Sequence, residues 1–550
     1  MKTSSLKTDR SAWLWGIESG AYSADKAERM IKVLSTRMGL ASVPAHLPDP
    51  PVPQLSPSRL SGAFCSAWKK RGLIRTDAAR YQYACGKSYR DVIRQRNGLI
   101  THFPDGVLIL QAAEHLCSLY KDAAREGITL IPFGGGTGVV GGTEALTRDN
   151  RPILVVDCKR LNQVFEIDEV SRVVRAQAGI LGPDLEAALN RKGFSLGHFP
   201  QSFEFSTLGG WIVTRSAGQN STKYGKIEDM VVSLVMATPV GVLATHQVPA
   251  SATGPSLREM AVGSEGLYGI VTEATVRIHP LPETMIFMAA HFSDFKAGAR
   301  AVRAVIQSEL CPSIVRLSDA VETDLFLKLK SESAVQKLMS YWYAVRSLGQ
   351  QPCFLMMATE GKKKPAVLEA EAIKAVLRKS GGVLLPNPVS SAMGKAWKGE
   401  RFRLPYLRDP MMNHGLFIDT PETAATWTKL DTLYSAVKMR FARDKMLSKF
   451  LCGCHLSHAY PDGASLYFTF MGVTHPADPL GQWEYMKAAA TDALVSAGGA
   501  ISHHHGIGYD HRRWMHEQHG DTGITVLRGI KHTLDPQGLL NPGKLFEDSL

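Results

Sequence analysis

The sequence predicts an α+β fold divided into several domains, on three observations. With 550 residues the chain exceeds what one hydrophobic core can organise. Between residues 106 and 278, short apolar runs alternate with stretches of helical periodicity. After the breaker-rich His279-Pro280-Leu281-Pro282-Glu283 the alternation resumes. It closes in two apolar runs joined by Tyr460-Pro461-Asp462-Gly463, a hairpin turn that implies an antiparallel sheet.

The first stretch, residues 1–98, combines a helical pattern over 24–38 with a Pro-rich tether over 44–57, and reads as a helical extension lying on a larger body. Residues 99–283 form the next unit. Strands at 106–110, 128–133, 152–157 and 173–180 alternate with helices at 112–126 and 183–192, and apolar runs follow at 230–245 and 269–278. Residues 284–500 make a second α+β unit. It has strands at 285–291, 313–317 and 353–359, helices at 297–308 and 366–379, the hairpin of 450–458 with 464–473, and a helix over 480–497. The last segment, 501–550, carries a histidine cluster and the breakers Asp535-Pro536 and Asn541-Pro542-Gly543. It reads as a tail returning to the first α+β unit.

Hydrophobic residues make up 44% of the chain and charged residues 21%, the balance of a soluble globular protein. A net charge of +12 favours anionic partners such as phosphorylated substrates or a membrane surface, although basic residues scattered over solvated faces give the same total. No block of Lys and Arg forms a nucleic-acid arm, and no apolar run is long enough to span a bilayer. Eight cysteines are too sparse for a disulfide framework. Cys452-Gly453-Cys454-His455 lies in a strand-like run whose neighbours point to opposite faces, which suits core packing better than a metal site. The polar N-terminus lacks a signal core, and Asp548-Ser549-Leu550 is not the Ser-Lys-Leu address, so a reducing compartment is expected.

The most informative motif is the run from Pro132 and Phe133 through Gly134, Gly135, Gly136, Thr137 and Gly138 to Gly142. Glycines directly after a strand let backbone N–H groups approach a pyrophosphate. The run formally contains GxGxxG, but Gly141-Gly142 and the polar stretch to Pro152 leave no room for the helix a dinucleotide fingerprint opens. The Gly-Lys-Ser/Thr ending of a P-loop is missing. Six glycines in nine residues are also too many for a plain turn. Two further stretches are rich in small and hydroxyl residues: 200–218, with Gln201, Ser202, Phe203, Glu204, Phe205, Ser206, Thr207, Thr214, Arg215, Ser216 and Ala217, and 262–273, with Glu265, Gly266, Leu267, Tyr268, Gly269, Ile270 and Val271.

In this order the three stretches resemble the flavin domain of the vanillyl-alcohol-oxidase flavoproteins. Along most of the chain, from Ala84-Cys85-Gly86 onward, the sequence is similar to the alkyldihydroxyacetonephosphate synthase family. The likeness rests on Glu204-Phe205-Ser206-Thr207-Leu208-Gly209-Gly210-Trp211, on Tyr224-Gly225-Lys226-Ile227-Glu228-Asp229, and on Gly263-Ser264-Glu265-Gly266 followed by Gly269-Ile270-Val271-Thr272-Glu273-Ala274-Thr275; Trp15-Gly16 echoes it near the start. The resemblance implies a two-part FAD-binding domain with an α+β cap domain. FAD would be held by residues 132–138, 201–207, 214–217 and 265–271. No histidine stands among residues 134–142, where some relatives attach flavin covalently, so non-covalent FAD is expected.

In the second hairpin strand Leu466, Phe468 and Phe470 alternate with Ser465, Tyr467 and Thr469, which places Tyr467 on the face opposite a core. By residues alone Tyr467 is an ordinary surface tyrosine; the resemblance makes it the residue that moves the substrate proton. In Ser502-His503-His504-His505-Gly506 an extended backbone would set His503 and His505 on one face and His504 on the other. Metal-dependent relatives that oxidise 2-hydroxy acids show a His followed by Asp-Gly-Asn-Leu-His. Here His458 is followed by Asp462-Gly463-Ala464-Ser465-Leu466-Tyr467, and Ser-His-His-His-Gly is the synthase pattern, so hydrogen bonding or acid–base work is expected and no metal. Arg316 and Arg408 offer the fork that carboxylate or phosphate needs, or structural ion pairs. The resemblance links both to activity and Arg408 to substrate.

The implied function is an FAD-dependent synthase of ether lipid precursors, exchanging the acyl group of acyl-dihydroxyacetone phosphate for a fatty alcohol without net oxidation. The alternative is an FAD-linked oxidase or dehydrogenase of a hydroxy acid or alcohol on the same scaffold. No nucleic-acid partner is expected, and a peripheral membrane contact and a homodimer are compatible with the sequence. The family enzyme is peroxisomal in eukaryotes; without its address, a bacterial cytoplasmic protein working at the inner membrane surface is expected.

Overall fold

The structure is a computed structural model and describes residues 11–50, 53–330 and 352–547; the C-terminal tripeptide lies outside them. Its first sheet has the order Leu73–Ile74, Gly106–Ile109, Ile153–Asp157, Thr129–Phe133, parallel except at the Leu73–Ile74 edge. All five residues of Ile153–Asp157 are buried, as expected for a central strand covered on both faces. Residues before 99 are therefore not confined to the surface. They supply an edge strand, and Phe64 and Trp68 of the helix Gly62–Lys69 join the core beneath it.

A second, antiparallel sheet runs Val164–Asp168, Val173–Gln177, Ile270–Arg277, Val231–Thr238, Gly241–Ala244. The apolar stretch 230–245 is thus a hairpin and not one strand. Thr238 and Gly241 bracket its turn, and the glycine there has φ +146°. The helix Leu208–Thr214, capped by the Thr207 hydroxyl on the N–H of Gly210, packs Leu208, Trp211 and Ile212 onto this sheet.

The cap unit is built on one large antiparallel sheet. Its strand order is Val383–Leu384, Thr284–Phe292, Cys353–Gly361, Ile314–Ser318, Leu451–Ala459, Gly463–Val473, Leu416–Asp419, and Glu422–Thr426 also pairs with Gly463–Val473. The helices Phe295–Gln307, Lys363–Lys379, Trp427–Arg443 and Pro479–Ser496 bury one face of it in a shared core. Leu466, Phe468 and Phe470 point into that core, where Phe470 stacks on Phe441 with ring centroids 4.0 Å apart. The other face, carrying Arg316, His455, Tyr467 and Thr469, looks toward the unit formed by the first two sheets.

The chain's last segment packs back against the first unit. Leu130 accepts the N–H of Asn541 and donates its own to Leu539, so residues 539–541 add a short parallel bridge to Thr129–Phe133. Asn541 also donates to the carbonyls of Gly142 and Glu265 at 3.0 and 2.7 Å.

Phe470→Ala is expected to cost about 3–5 kcal/mol, because it empties a ring-sized space in a core that cannot collapse fully. Val473→Ala, at the exposed end of the same strand, should cost less than about 0.5 kcal/mol. Chemical denaturation of the two variants checks the contrast.

Candidate active site

Between the two units lies a cavity of about 1060 Å³, at the upper end of ordinary ligand sites. Its floor is the glycine loop. Gly135 is there because a Cβ would sit 1.9 Å from the Phe205 carbonyl oxygen, and Gly136 because φ is +65°. Gly138 is different: a Cβ there would meet no protein atom within 4 Å, and the residue faces the cavity. Thr143, beside it, has a buried hydroxyl with no hydrogen-bond partner among the described residues. An open backbone cradle and an unsatisfied hydroxyl are what a pyrophosphate-bearing ligand would fill.

The structure sorts the residues expected to hold the cofactor. Pro132, Phe133, Gly134 to Gly138, Gln201, Ser202, Ser206, Thr207, Thr214, Ser216, Ala217, Glu265, Gly266, Gly269, Ile270 and Val271 all line the cavity. Six do not. Phe203 stacks between Trp211 and Phe402, Phe205 meets the edge of Trp15, and Glu204 lies beside it, off the wall. Arg215, at φ +52°, turns to Glu228 and Glu259. Leu267 is core, and the Tyr268 hydroxyl donates to the Leu527 carbonyl. These positions belong to the support of the loop and not to its ligand-facing surface.

The cap face supplies polar groups that are largely paired with one another. Arg316 contacts Glu322 at 3.2 Å, and Glu322 accepts from His455 Nδ1 at 2.9 Å. Burial works against the Glu322 charge, but His455 and Arg316 outweigh it and hold the carboxyl down to about 2. The His455 ring lies 4.8 Å from that of Tyr467, nearly parallel, and the Tyr467 hydroxyl donates to Thr420 Oγ1 at 3.0 Å. Burial pushes the Tyr467 hydroxyl well up, so it rests protonated. Arg408 is the exception. Its Nη1 donates to the Lys87 carbonyl at 2.6 Å, while Nε and Nη2 are buried with no partner among the described residues. Lys87, on the same wall, is pushed down to about 8 by burial and by the neighbouring Arg408.

The histidine segment departs from expectation. Residues 503–505 form a bend, not a strand, because the N–H groups of His503, His504 and His505 all donate to the carboxylate of Glu422. Consecutive N–H groups of a strand point to opposite sides and cannot do this. His504 and His505 therefore line the cavity, and His503 sits behind, with its Nε2 2.6 Å from the Tyr460 hydroxyl. His458, His503 and His504 present ring nitrogens within 4.8 Å of one another. Those nitrogens already have neighbours: Ser221 Oγ lies 2.6 Å from His458 Nδ1, and the His503 and His504 Nδ1 atoms lie 3.0 Å apart, an arrangement of hydrogen-bonded imidazoles. Cys454 is core as expected, but His455 faces the cavity; sequence reasoning gave His455 and His458 no site role and missed Glu322, Thr420, Lys87 and Glu422. For His455 the signal was its place one strand from Tyr467; for the carboxylates there was none.

Known proteins share this frame. Residues 104–246 match the FAD binding domain family and residues 281–545 the C-terminal domain of FAD linked oxidases. With the glycine loop and the cavity beneath the cap, these matches define an FAD-dependent enzyme of that two-domain class. The chain is 35% identical to alkyldihydroxyacetonephosphate synthase of Dictyostelium discoideum over 85% of its own length and 77% of the relative's. It is 34% identical to the synthase of Trypanosoma brucei brucei over 86% and 78%. A solved alkyldihydroxyacetonephosphate synthase superposes with a TM-score of 0.78 at 30% identity, covering 93% of this chain and 90% of that one. The chain belongs to the alkyldihydroxyacetonephosphate synthase family. A p-cresol methylhydroxylase structure, at TM-score 0.67 and 15% identity, shares the fold.

Two outcomes follow from this geometry. Gly138→Leu should leave the protein folded and empty it of FAD, since the new side chain has only the cavity to enter; normal flavin absorbance in the purified variant would remove the loop from the cofactor site. Burial holds His504 down to about 3 and His505 to about 4, with Glu422 opposing. The unfolded chain then binds more protons between those values and about 6.5, so this contribution to stability is complete above about pH 6.5 and is lost as pH falls. His504→Asn should flatten the loss between about pH 6.5 and 5, by up to about 1.4 kcal/mol per pH unit. An unchanged slope in pH-dependent denaturation would mean that His504 titrates alike in the folded and unfolded chains.

Proposed function

We propose that this enzyme exchanges the acyl group of acyl-dihydroxyacetone phosphate for a fatty alcohol, as the names of its relatives suggest. The observation that carries the reading is the buried, half-satisfied guanidinium of Arg408 in a cavity whose other walls are mostly apolar. Arg316 is already neutralised by Glu322, so Arg408, seconded by Lys87, is the group free to take a phosphate. Leu325, Phe326, Phe354, Met356, Met393, Trp397 and Met471 give the alkyl chains their surface. Bound FAD supplies the electron-poor ring system of the reaction, with no net oxidation.

The chain's own groups move the proton. His504 and His505 rest as neutral imidazoles and Tyr467 rests protonated, and the two imidazole rings lie 5.9 and 5.4 Å from that of Tyr467. The net charge of +12 suits a peripheral meeting with an anionic membrane surface, and no helix among the described residues is long and apolar enough to cross a membrane.

Tyr467→Phe keeps the ring stacked on His455 and should lower kcat at least about 100-fold with FAD content unchanged. Arg408→Met should instead raise KM for the phosphorylated substrate about 10- to 100-fold, the scale of a charge-assisted hydrogen-bond pair. Steady-state kinetics with both substrates separate the two. Anaerobic addition of alcohols or hydroxy acids should leave the flavin yellow; full bleaching would point to a dehydrogenase on the same scaffold.

A further inference from the structure

Glu422 is 1% exposed and lies on a short strand, Glu422–Thr426, in direct register with Tyr467. Its Oε1 accepts from the Ser502 hydroxyl at 2.6 Å and from the N–H groups of His505 and His504 at 2.9 and 3.2 Å; Oε2 accepts from the N–H of His503 at 2.6 Å. Four donors on one buried carboxylate form an anion nest, and no neutral side chain of this size offers four acceptor directions. The nest dictates the bend at 503–505, and the bend decides that His504 and His505 reach the cavity wall. The carboxylate oxygens stand 3.5 and 3.7 Å from the Nδ1 atoms of His504 and His505, where they are the counter-charge for a proton on either ring.

We propose that Glu422 is the positioning residue of the proton-transfer site: it presents His504 and His505 to Tyr467 and balances the charge that either imidazole gains. The inference rests on the proposed reaction for its kinetics, but not for its geometry. Glu422 touches neither cavity nor substrate and acts through the histidines. A carboxylate that only propped the fold would be exchangeable for a well-packed neutral group, often at no loss of stability, whereas this one faces three imidazoles.

The FAD-loaded Glu422→Gln and Ser502→Ala variants test it, by FAD content, kcat, KM, and the ring-proton NMR signals of isotope-labelled histidines. Glu422→Gln should keep FAD at wild-type stoichiometry and KM within about threefold. Its kcat should fall about 30-fold or more, within the range of a misaligned proton-transfer group, and the signals of the histidine segment should move while those of distant histidines stay. Ser502→Ala removes one donor of four and should lower kcat about three- to tenfold. If Glu422→Gln does not fold, Ser502→Ala decides alone. Histidine signals and kcat unchanged in the folded variants would overturn the proposal, as would a rise in KM or a loss of FAD with kcat intact. Shifted histidine signals in an enzyme whose wild type shows no exchange activity would keep the positioning role and reject the reaction.

Discussion

The segment from Ser502 to Gly508 has to be held in a turn that aims successive backbone N–H groups at a common point, and two buried carboxylates do the holding. Glu422, from the cap, takes the N–H groups of residues 503–505. Glu265, from the flavin domain, takes those of Ile507 and Gly508 at 2.6 and 2.7 Å. An unpartnered buried carboxylate would cost several kcal/mol, so each is tolerable only while the segment lies between them. Burial still pushes Glu265 up to about 7, against the pull of those two N–H groups. Because one carboxylate belongs to each unit, satisfying both brings the cap onto the flavin domain, and the face of the cap sheet that carries Tyr467 comes with it.

Charge within the cavity is divided by the same logic. Arg316 sits on a strand with a carboxylate and an imidazole within reach, and its charge is absorbed there. Arg408 lies at the start of the helix Arg408–Asn413, with Asp409 turned to the backbone N–H of Trp15 at 2.9 Å, and keeps two buried donors unmet. Two arginines that look alike in sequence therefore sit in opposite environments. One is paired beside the stack of His455 and Tyr467, and the other keeps the donors that the proposed phosphate would meet.

Much of this was legible in the chain and some of it was not. The alternation in 464–473 gives the buried face and the Tyr467 face directly, since a two-residue period has only one solution once Phe468 and Phe470 are inside. The hairpin itself is legible from Pro461-Asp462-Gly463. Its register is not: Ala459 pairs with Ala464, but an irregularity between Leu456 and Ala459 shifts the ladder by one residue and sets His455 opposite Tyr467. Such a bulge re-aims a side chain without leaving a mark in composition. The histidine bend was misread as extended for a related reason, because the carboxylate that bends it is 80 residues away in sequence. Phe203, Arg215 and Leu267 sit in motifs that resemble a ligand site, yet the residues that shape a loop and those that touch its ligand are interleaved there, and only packing separates them.

Residues far from both family matches complete the chamber. Trp15, Tyr22, Lys26 and Met30, all before residue 104, line it, and Lys26 bridges to Glu400 on the opposite wall at 2.9 Å. Fold alone does not choose among the reactions that this scaffold hosts. In the proposed exchange the choice between alcohol and water as the entering group is decisive, since water would hydrolyse what an alcohol should alkylate. The methionine, phenylalanine and tryptophan side chains on the chamber's walls offer water few partners, and a low-dielectric surface of this kind strengthens each remaining electrostatic contact. The bonded group Arg316, Glu322 and His455 and the pair Tyr467 and Thr420, which meet only through stacked rings, would serve that chemistry as well as stability. Every donor already satisfied by protein is one that does not need a water molecule beside the reacting carbon.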